Sequence, residues 1–124
     1  MNQSKLFICG DISETYSYLK LYMNIGRKLE NYEVIYSKKY INIDYEQFNE
    51  ILTDFIQDTN MESFDCLSLT CTGPIINDKV HFSNITWSVD KQQLEQTYST
   101  KVFLLNDIEM CNHSAYIKAF KETL

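Results

Sequence analysis

The chain has 124 residues, 44% of them hydrophobic, which is enough for one domain with a buried core. Its 17 acidic and 11 basic residues give a net charge of −6, which argues against nucleic acid or an anionic membrane surface as a partner. No segment approaches the roughly 18 to 20 apolar residues of a membrane span, and residues 1–11 contain no long apolar region, so we expect a cytoplasmic protein.

Three antiparallel strands are predicted in the first third of the chain, over residues 5–10, 15–23 and 32–41. Residues 11–14 form a tight link between the first two. This pattern is typical of a meander, in which each strand pairs with the next.

An amphipathic helix follows, and either Asn42 or Asp44 is expected to cap it. Its apolar side chains recur at helical spacing along one stripe: Phe48, Ile51, Leu52, Phe55 and Ile56. That stripe is expected to pack on the sheet.

The second half of the chain alternates strands with helices. A fourth strand is predicted over 65–71, and residues 75–80 are typical of a hairpin with Asn77 and Asp78 at its turn, where a positive φ is tolerated. Ser88 is then expected to cap a short helix, with Asp90 in its first turn.

A fifth strand over 101–105 and a last helix over 108–121 complete the order. A meander followed by βαβ units indicates an α/β fold, here a five-stranded mixed sheet with flanking helices forming a single domain over 1–124.

The fifth strand ends abruptly in the polar pair Asn106-Asp107. The apolar run before the pair is too short for an ordinary helix and is typical of a strand buried on both faces. Ligands of open α/β sheets bind outside the carboxyl ends of the strands, so an amide and a carboxylate placed there are candidates for binding or chemistry. Both residue types also cap helices well, and the local sequence leaves that alternative open.

The four cysteines contain no C-x-x-C pair and are predicted to be buried free thiols. A zinc site built from Cys111, His113 and His81 lacks a second pair at metal-ligand spacing. We therefore predict no metal site.

Three motifs resemble those of glucokinase-type sugar kinases, in the superfamily that includes actin and hexokinase. FICGDISETYSYL is similar to the family's first hairpin, whose strand ends in Asp-x-Gly-Gly-Thr. GPIINDKVHFSNITWSVDKQQL resembles its Gly/Cys-Pro-Ile hairpin and Thr/Ser-Asn-x-x-Trp segment, and LLNDIEM resembles its Leu-Ile/Leu-Asn-Asp strand end. The motifs keep the family's order and span nearly the whole chain. The resemblance implies a ribonuclease-H-like lobe of the actin-like ATPase type.

The same resemblance implies a hexose such as glucose as ligand. Asp107 matches the general base that takes the proton of the sugar's primary hydroxyl, and Asn106 matches the asparagine that binds a ring hydroxyl. Ser83 and Asn84 would supply further hydroxyl contacts. Trp87 is either a face for sugar stacking or an anchor in the core.

The phosphate turn departs from the family. Asp11 and Thr15 remain as phosphate-binding candidates, and ATP with Mg²⁺ would be the cofactors of an active kinase. Ser13 and Glu14 replace both glycines, and glycine is what lets backbone N–H groups approach a phosphate. Glu14 also places a negative charge there, and two like charges about 4 Å apart repel by about 4 kcal/mol near a protein surface.

The family's kinases have two lobes, and the resemblance covers only the first, so we expect the chain alone to be inactive. Three alternatives stay open: the hexose-binding half of a kinase completed by a second-lobe chain, a degenerate binding or regulatory module, and a self-associating interaction protein. We expect association, as a homodimer or with a partner, through the sheet rim and the last helix. We also expect Asn106 and Asp107 to end a central strand beside the strand that ends in Asp11.

Overall fold

The computed structural model describes residues 4–106 and 114–123 and contains two sheets and three helices. The larger sheet has the order β3-β2-β1-β4-β8. Its strands are β1 (Lys5–Ile12), β2 (Tyr16–Asn24), β3 (Tyr32–Ile41), β4 (Cys66–Cys71) and β8 (Lys101–Asn106). The smaller sheet consists of β5 (Ile75–Ile76), β6 (Lys79–His81) and β7 (Ser88–Asp90). The helices are α1 (Phe48–Thr59), α2 (Lys91–Tyr98) and α3 (Ser114–Thr123), and a 3-10 turn spans Asn42–Asp44.

The predicted α/β fold with a five-stranded mixed sheet is confirmed. Strands β1, β2 and β3 form the antiparallel meander, whereas β4 runs parallel to β1 and β8 runs parallel to β4. In this register Ile12, Cys71 and Asn106 lie side by side. The three parallel strands therefore end at the same level of the sheet.

The two faces of the sheet carry separate cores. Helix α1 buries four of the five predicted stripe residues, and the fifth, Ile56, is half-buried at the margin. The larger core lies on this face, and a smaller aromatic core under α3 covers the other. Alternation along β2 assigns the faces, since Leu21 belongs to the first core and Tyr22 to the second.

The hairpin predicted over 75–80 is confirmed. Strands β5 and β6 pair antiparallel around Asn77 and Asp78, whose φ angles are 52° and 63°. Positive φ at both central residues is what a two-residue hairpin turn requires.

The predicted cap of α1 is wrong. The helix begins after Gln47, and the Glu50 carboxylate accepts the backbone N–H of Gln47 at 3.1 Å. A carboxylate in the first turn satisfies N–H groups that have no partner within the helix, so no earlier residue is needed. Asn42 and Asp44 lie instead in the 3-10 turn, where Asn42 is fully buried.

The predicted cap of α2 is also misplaced. Ser88 lies in β7, which pairs with β6 and is therefore extended. Asp90 is the N-cap, and its carboxylate accepts the N–H of Gln93 at 3.2 Å. Of the last helix predicted over 108–121, the structure describes the part from Ser114 onward. None of the helices within the described ranges is both long enough and apolar enough to span a membrane.

Candidate functional site

The carboxyl ends of the parallel strands form one edge of the sheet, which we call the carboxyl rim (residues 11–15, 72–74, 83–84 and 106). The loop 72–74 joins its parts, because the N–H of Thr72 donates to the carbonyl of Ile12 at 3.1 Å. The side-chain amide of Asn106 donates to the carbonyl of Cys71 at 3.2 Å and also to that of Gly73. Asn106 therefore ties the end of β8 to the loop after β4.

The small hairpin lies directly against this loop. A Cβ atom on Gly73 would approach the carbonyl oxygen of His81 and the Val80 side chain at 3.0 Å each. Only glycine fits there without a shift, so the backbone of 72–74 packs closely against β6. The segment that follows β6 carries Ser83 and Asn84, which are thereby brought to the rim.

The expectation that Asn106 ends a central strand beside β1 is wrong. Strand β4 lies between β1 and β8, and β8 is the outermost strand of the sheet. The first parallel crossover places β4 beside β1, and the second places β8 beside β4. Asn106 and Asp11 are nevertheless at the same end of the sheet, about 10 Å or two strand spacings apart. Asp107, the predicted general base, lies outside the described residues.

The link between β1 and β2 is closed by its own side chain. The Ser13 hydroxyl oxygen accepts the backbone N–H groups of Thr15 at 3.2 Å and Tyr16 at 3.1 Å. No residue from 11 to 15 has a positive φ, so this turn does not use the conformation that favours glycine. Two backbone donors at this turn, the N–H groups of Thr15 and Tyr16, thus have an internal acceptor.

Asn42 fixes this turn from below. It is fully buried, its side-chain amide donates to the Ser13 carbonyl at 2.7 Å, and its carbonyl oxygen accepts the Ser17 hydroxyl at 2.6 Å. Its backbone N–H also donates to the carbonyl of Thr15 at 3.0 Å. A buried polar group without a hydrogen-bond partner destabilises the folded chain. Because these bonds satisfy Asn42, they favour one conformation of the turn.

Glu14 joins the predicted phosphate turn to the predicted sugar residues. One carboxylate oxygen accepts the Ser83 hydroxyl at 2.6 Å and the Ser83 N–H at 3.4 Å, and the other accepts the Asn84 side-chain amide at 3.0 Å. The sequence predicted only that the negative charge of Glu14 would repel a phosphate. Its partners lie 69 and 70 residues away along the chain, and no local pattern indicates them.

Asp11 is half-buried and Thr15 is exposed. Asp11 lines a cavity of about 20 Å³ together with Cys9, Lys20 and Ser114, among others, a volume that suits a single water molecule. Burial, followed by the nearby thiol of Cys66 and the charge of Asp11, raises the pKa of Cys9 well above its ordinary value. The cavity opens on the α3 side of the sheet.

Trp87 is an anchor of the core. Only 7% of it is exposed, its indole N–H donates to the carbonyl of Tyr45 at 3.1 Å, and its ring packs against Phe48 and Phe82. A ring in this position has no free face for a sugar to stack on.

Cys9, Cys66 and Cys71 are buried free thiols, as predicted. Burial raises the pKa of Cys66 and Cys71 to about 12 each. Within residues 4–106 and 114–123, no three His, Cys, Asp or Glu side chains form a group that could hold a metal ion. His81 is exposed, and the other two residues of the zinc hypothesis fall outside these ranges.

Known proteins are similar to this chain in sequence and in fold. A glucokinase from Nostoc sp. is 25% identical over 115 residues, which cover 90% of this chain and 32% of the relative. The crystal structure of a glucokinase from an Antarctic psychrotroph matches 83% of this chain and 32% of its own, with a TM-score of 0.70 and 18% identity. A ROK family glucokinase from Streptomyces griseus, solved in complex with glucose and AMPPNP, matches 82% of this chain and 33% of its own, with a TM-score of 0.52 and 15% identity.

The chain thus spans about a third of the length of the relatives that it matches. The family model described as Glucokinase matches residues 8–123, nearly the whole sequence. The described residues of the three motifs lie in β1, β2 and β8, in the smaller sheet and at the start of α2, and they include residues of the carboxyl rim. The solved glucokinases share this α/β fold. The chain belongs to the glucokinase family.

Proposed function

We propose that the chain is a glucokinase-like, hexose-binding lobe, part of or derived from an ATP-dependent hexose kinase. Its ligand would be a sugar such as glucose, bound at the carboxyl rim. The observation that carries the proposal is that Ser83, Asn84 and Asn106, all members of family motifs, are brought to one edge of the sheet. Hydroxyls and side-chain amides are the groups that recognise sugar hydroxyls, because each can donate or accept a hydrogen bond.

In this proposal Asn106 binds a ring hydroxyl and Asp107 is the general base. Transfer of a phosphoryl group asks the protein mainly to position the reactants and to stabilise charge. A carboxylate within about 3 Å of the sugar's primary hydroxyl is sufficient as the base. ATP with Mg²⁺ would supply the phosphoryl group in an active kinase.

The turn of residues 11–15 does not fit a nucleotide phosphate. The N–H groups of Thr15 and Tyr16 already bond the Ser13 hydroxyl, that of Ser13 bonds the Tyr16 carbonyl, and the Glu14 carboxylate, an anion, belongs to the same turn. A bound phosphate would have to displace the first and be repelled by the second. We therefore do not propose this turn as a binding site for ATP. We expect the chain alone not to phosphorylate a hexose.

The closed turn favours a second candidate, a non-catalytic module that binds hexose. Such a module keeps the sugar side of the rim and has given up the phosphate side. In either case we propose that a second-lobe chain or a second copy covers the rim, and that the protein acts in the cytoplasm.

Titration of the chain with glucose, followed by NMR chemical shifts, tests the proposal. We expect saturable shifts at residues 83, 84 and 106, and affinity reduced about tenfold by Asn106→Ala, which removes one hydrogen bond to the sugar. Gln92→Ala, an exposed change on α2, is the matched control and should leave the affinity unchanged. Absence of any saturable shift would exclude hexose binding.

Incubation with glucose, ATP and Mg²⁺ separates the two candidates. A chain without nucleotide chemistry forms no sugar phosphate above background. Turnover that Asp107→Asn abolishes would instead show that the chain is a competent kinase by itself.

A further inference from the structure

The exposed apolar side chains of the described residues are concentrated at one edge of the larger sheet. Seven large apolar side chains are exposed, and six of them lie on β3 or in the segments next to it. These six are Ile25, Leu29, Val34, Ile35, Ile41 and Ile43. Strand β3 is ten residues long and pairs only with β2, so its outer edge is unpaired within the larger sheet. A long edge with exposed apolar side chains is a template for pairing with another strand.

The last helix offers less apolar surface than its sequence indicates. Within its described part, Ala115, Tyr116 and Ala119 are buried against the chain's own sheet, and Phe120 is half-buried beside Tyr116. Among the described residues, the exposed apolar surface is therefore greatest at the β3 edge.

A bulge sets which side chains of β3 share a face. Tyr36 is opposite Leu21 and Val34 is opposite Tyr22, so Ile35 is an extra residue in the strand. As a result Glu33, opposite Met23, lies on the same face as Lys38, opposite Leu19. Without the bulge, residues five positions apart would lie on opposite faces.

We propose that two copies of the chain pair antiparallel through β3, around a two-fold axis between Ile35 and Tyr36. In this register Glu33 of each copy is opposite Lys38 of the other. Glu33 and Lys38 lie on the same face of the sheet, so their side chains can meet across the interface. The two-fold symmetry repeats this pair of unlike charges on the other side of the axis. Opposed unlike charges stabilise a strand pair, and like charges destabilise it.

A second opposed pair suits the same register. Tyr32 is opposite Lys39 of the second copy on the α3 face, and Lys39 already lies over an aromatic ring, that of Tyr16, at 4.3 Å. Lys38 is bound to Asp58 of its own chain at 3.3 Å, but both groups are well exposed, and such surface pairs contribute little. The Lys38 ammonium therefore remains able to take a second carboxylate.

The expected product is a closed dimer of modest affinity. In this pairing each copy contributes the same strand edge, so the interface is isologous. No β3 edge remains free for a third copy, and the assembly is a dimer. A stable interface buries about 1,000 Å² or more in total, and one strand edge with its flanking apolar side chains lies near that limit. We therefore expect dissociation constants of order micromolar.

Charge reversal at the two positions tests the pairing by sedimentation equilibrium of the 124-residue chain. Glu33→Lys and Lys38→Glu should each weaken dimerisation about tenfold or more, because each places like charges opposite each other twice. An equimolar mixture of the two variants should dimerise as the wild type does, since every opposed pair is then of unlike charge. No interface that lacks the Glu33–Lys38 contact restores association on mixing.

Glu62→Lys and Lys101→Glu are the matched controls, because they make the same charge changes away from β3 and should leave the dimer unchanged. Circular dichroism confirms that all four variants fold. A wild type that stays monomeric at high micromolar concentration, single variants that associate as strongly as the wild type, or a mixture that stays monomeric would each overturn the proposal. Loss of the dimer in Lys101→Glu would place the interface at β8 instead.

Discussion

Two neighbouring regions of the carboxyl rim resemble the family's motifs to different degrees. The segments around Ser83, Asn84 and Asn106 resemble the family motifs, whereas the turn of residues 11–15 has Ser13 and Glu14 where the resemblance leads us to expect two glycines. Yet the sheet beneath them is intact, because Ser13 accepts the N–H groups that a phosphate would otherwise bind. Backbone donors must find acceptors in any folded chain. A ligand-binding turn can therefore lose its ligand without loss of the fold, provided that a side chain replaces the ligand's oxygen.

The largest effect is expected from breaking the support of the closed turn. Asn42→Ala leaves the buried Ser17 hydroxyl and the Ser13 carbonyl without their partner, and should lower the free energy of unfolding by about 3 kcal/mol. Urea denaturation measures this, with Gln92→Ala as an exposed control that changes little. A loss below about 1 kcal/mol would mean that the turn does not depend on Asn42.

Separating the two regions tests whether Glu14 holds them together. Glu14→Ala removes the acceptor of Ser83 and Asn84 and should lower the free energy of unfolding by about 1.5 kcal/mol, the scale of hydrogen bonds to a charged group at the surface. Amide hydrogen exchange at residues 83 and 84 should become faster. Glu62→Ala serves as the control, and unchanged exchange at both residues would show that the segment is held by other contacts.

Restoring the family sequence of the turn sharpens the comparison. The double variant Ser13→Gly/Glu14→Gly frees the N–H groups of Thr15 and Tyr16 and removes the carboxylate, so affinity for Mg²⁺–ATP should rise about tenfold. Calorimetry compares it with wild type and with Ser13→Gly alone, which keeps the charge. Equal affinity in all three proteins would show that the turn is not what limits nucleotide binding.

The smallest effect concerns Cys71, which lies beneath both regions. Burial raises the pKa of its thiol to about 12, above the value of about 9 in an unfolded chain. The folded state therefore holds the thiol proton more tightly than the unfolded state does. The stability gained from this difference is complete below pH 9 and is lost as the pH rises toward 12. One such thiol lowers the free energy of unfolding by about 1 kcal/mol between pH 9 and 10. Cys71→Ala should show a shallower decline over this interval, and equal slopes would contradict the assignment.

The sequence predicted best what depends on local periodicity. The bounds of β3, the apolar stripe of α1 and the turn at Asn77 and Asp78 are confirmed, because alternation, helical spacing and turn chemistry act over a few residues. The caps of α1 and α2 were misplaced, since several polar residues compete for each helix start and tertiary packing decides among them. The prediction that β8 lies beside β1 was wrong, because the apolar run of 102–105 does not indicate which strand it pairs with.

The end of its apolar strand already made Asn106 a site candidate, whereas Ser83 and Asn84 were predictable only through the family motifs. The sequence offered these three as sugar-binding candidates, but it did not indicate that Asn106 binds the loop 72–74 or that Glu14 binds Ser83 and Asn84. Those contacts join residues 33 to 70 positions apart and exist only once the sheet has formed.

The strand order also fixes when the carboxyl rim can exist as the chain is made. The meander of β1 to β3 contains only local pairings, which close quickly, and β4 must then bridge about 60 residues to reach β1. Among the described residues, β8 has no neighbour in the larger sheet but β4, so we expect it to be added after the other strands of that sheet. A ribosome-bound chain will therefore have its meander and α1 before it has Asn106 in place. Until β8 docks, the β4 edge is open, and we expect it to be exposed to wrong strand pairing during this interval of synthesis.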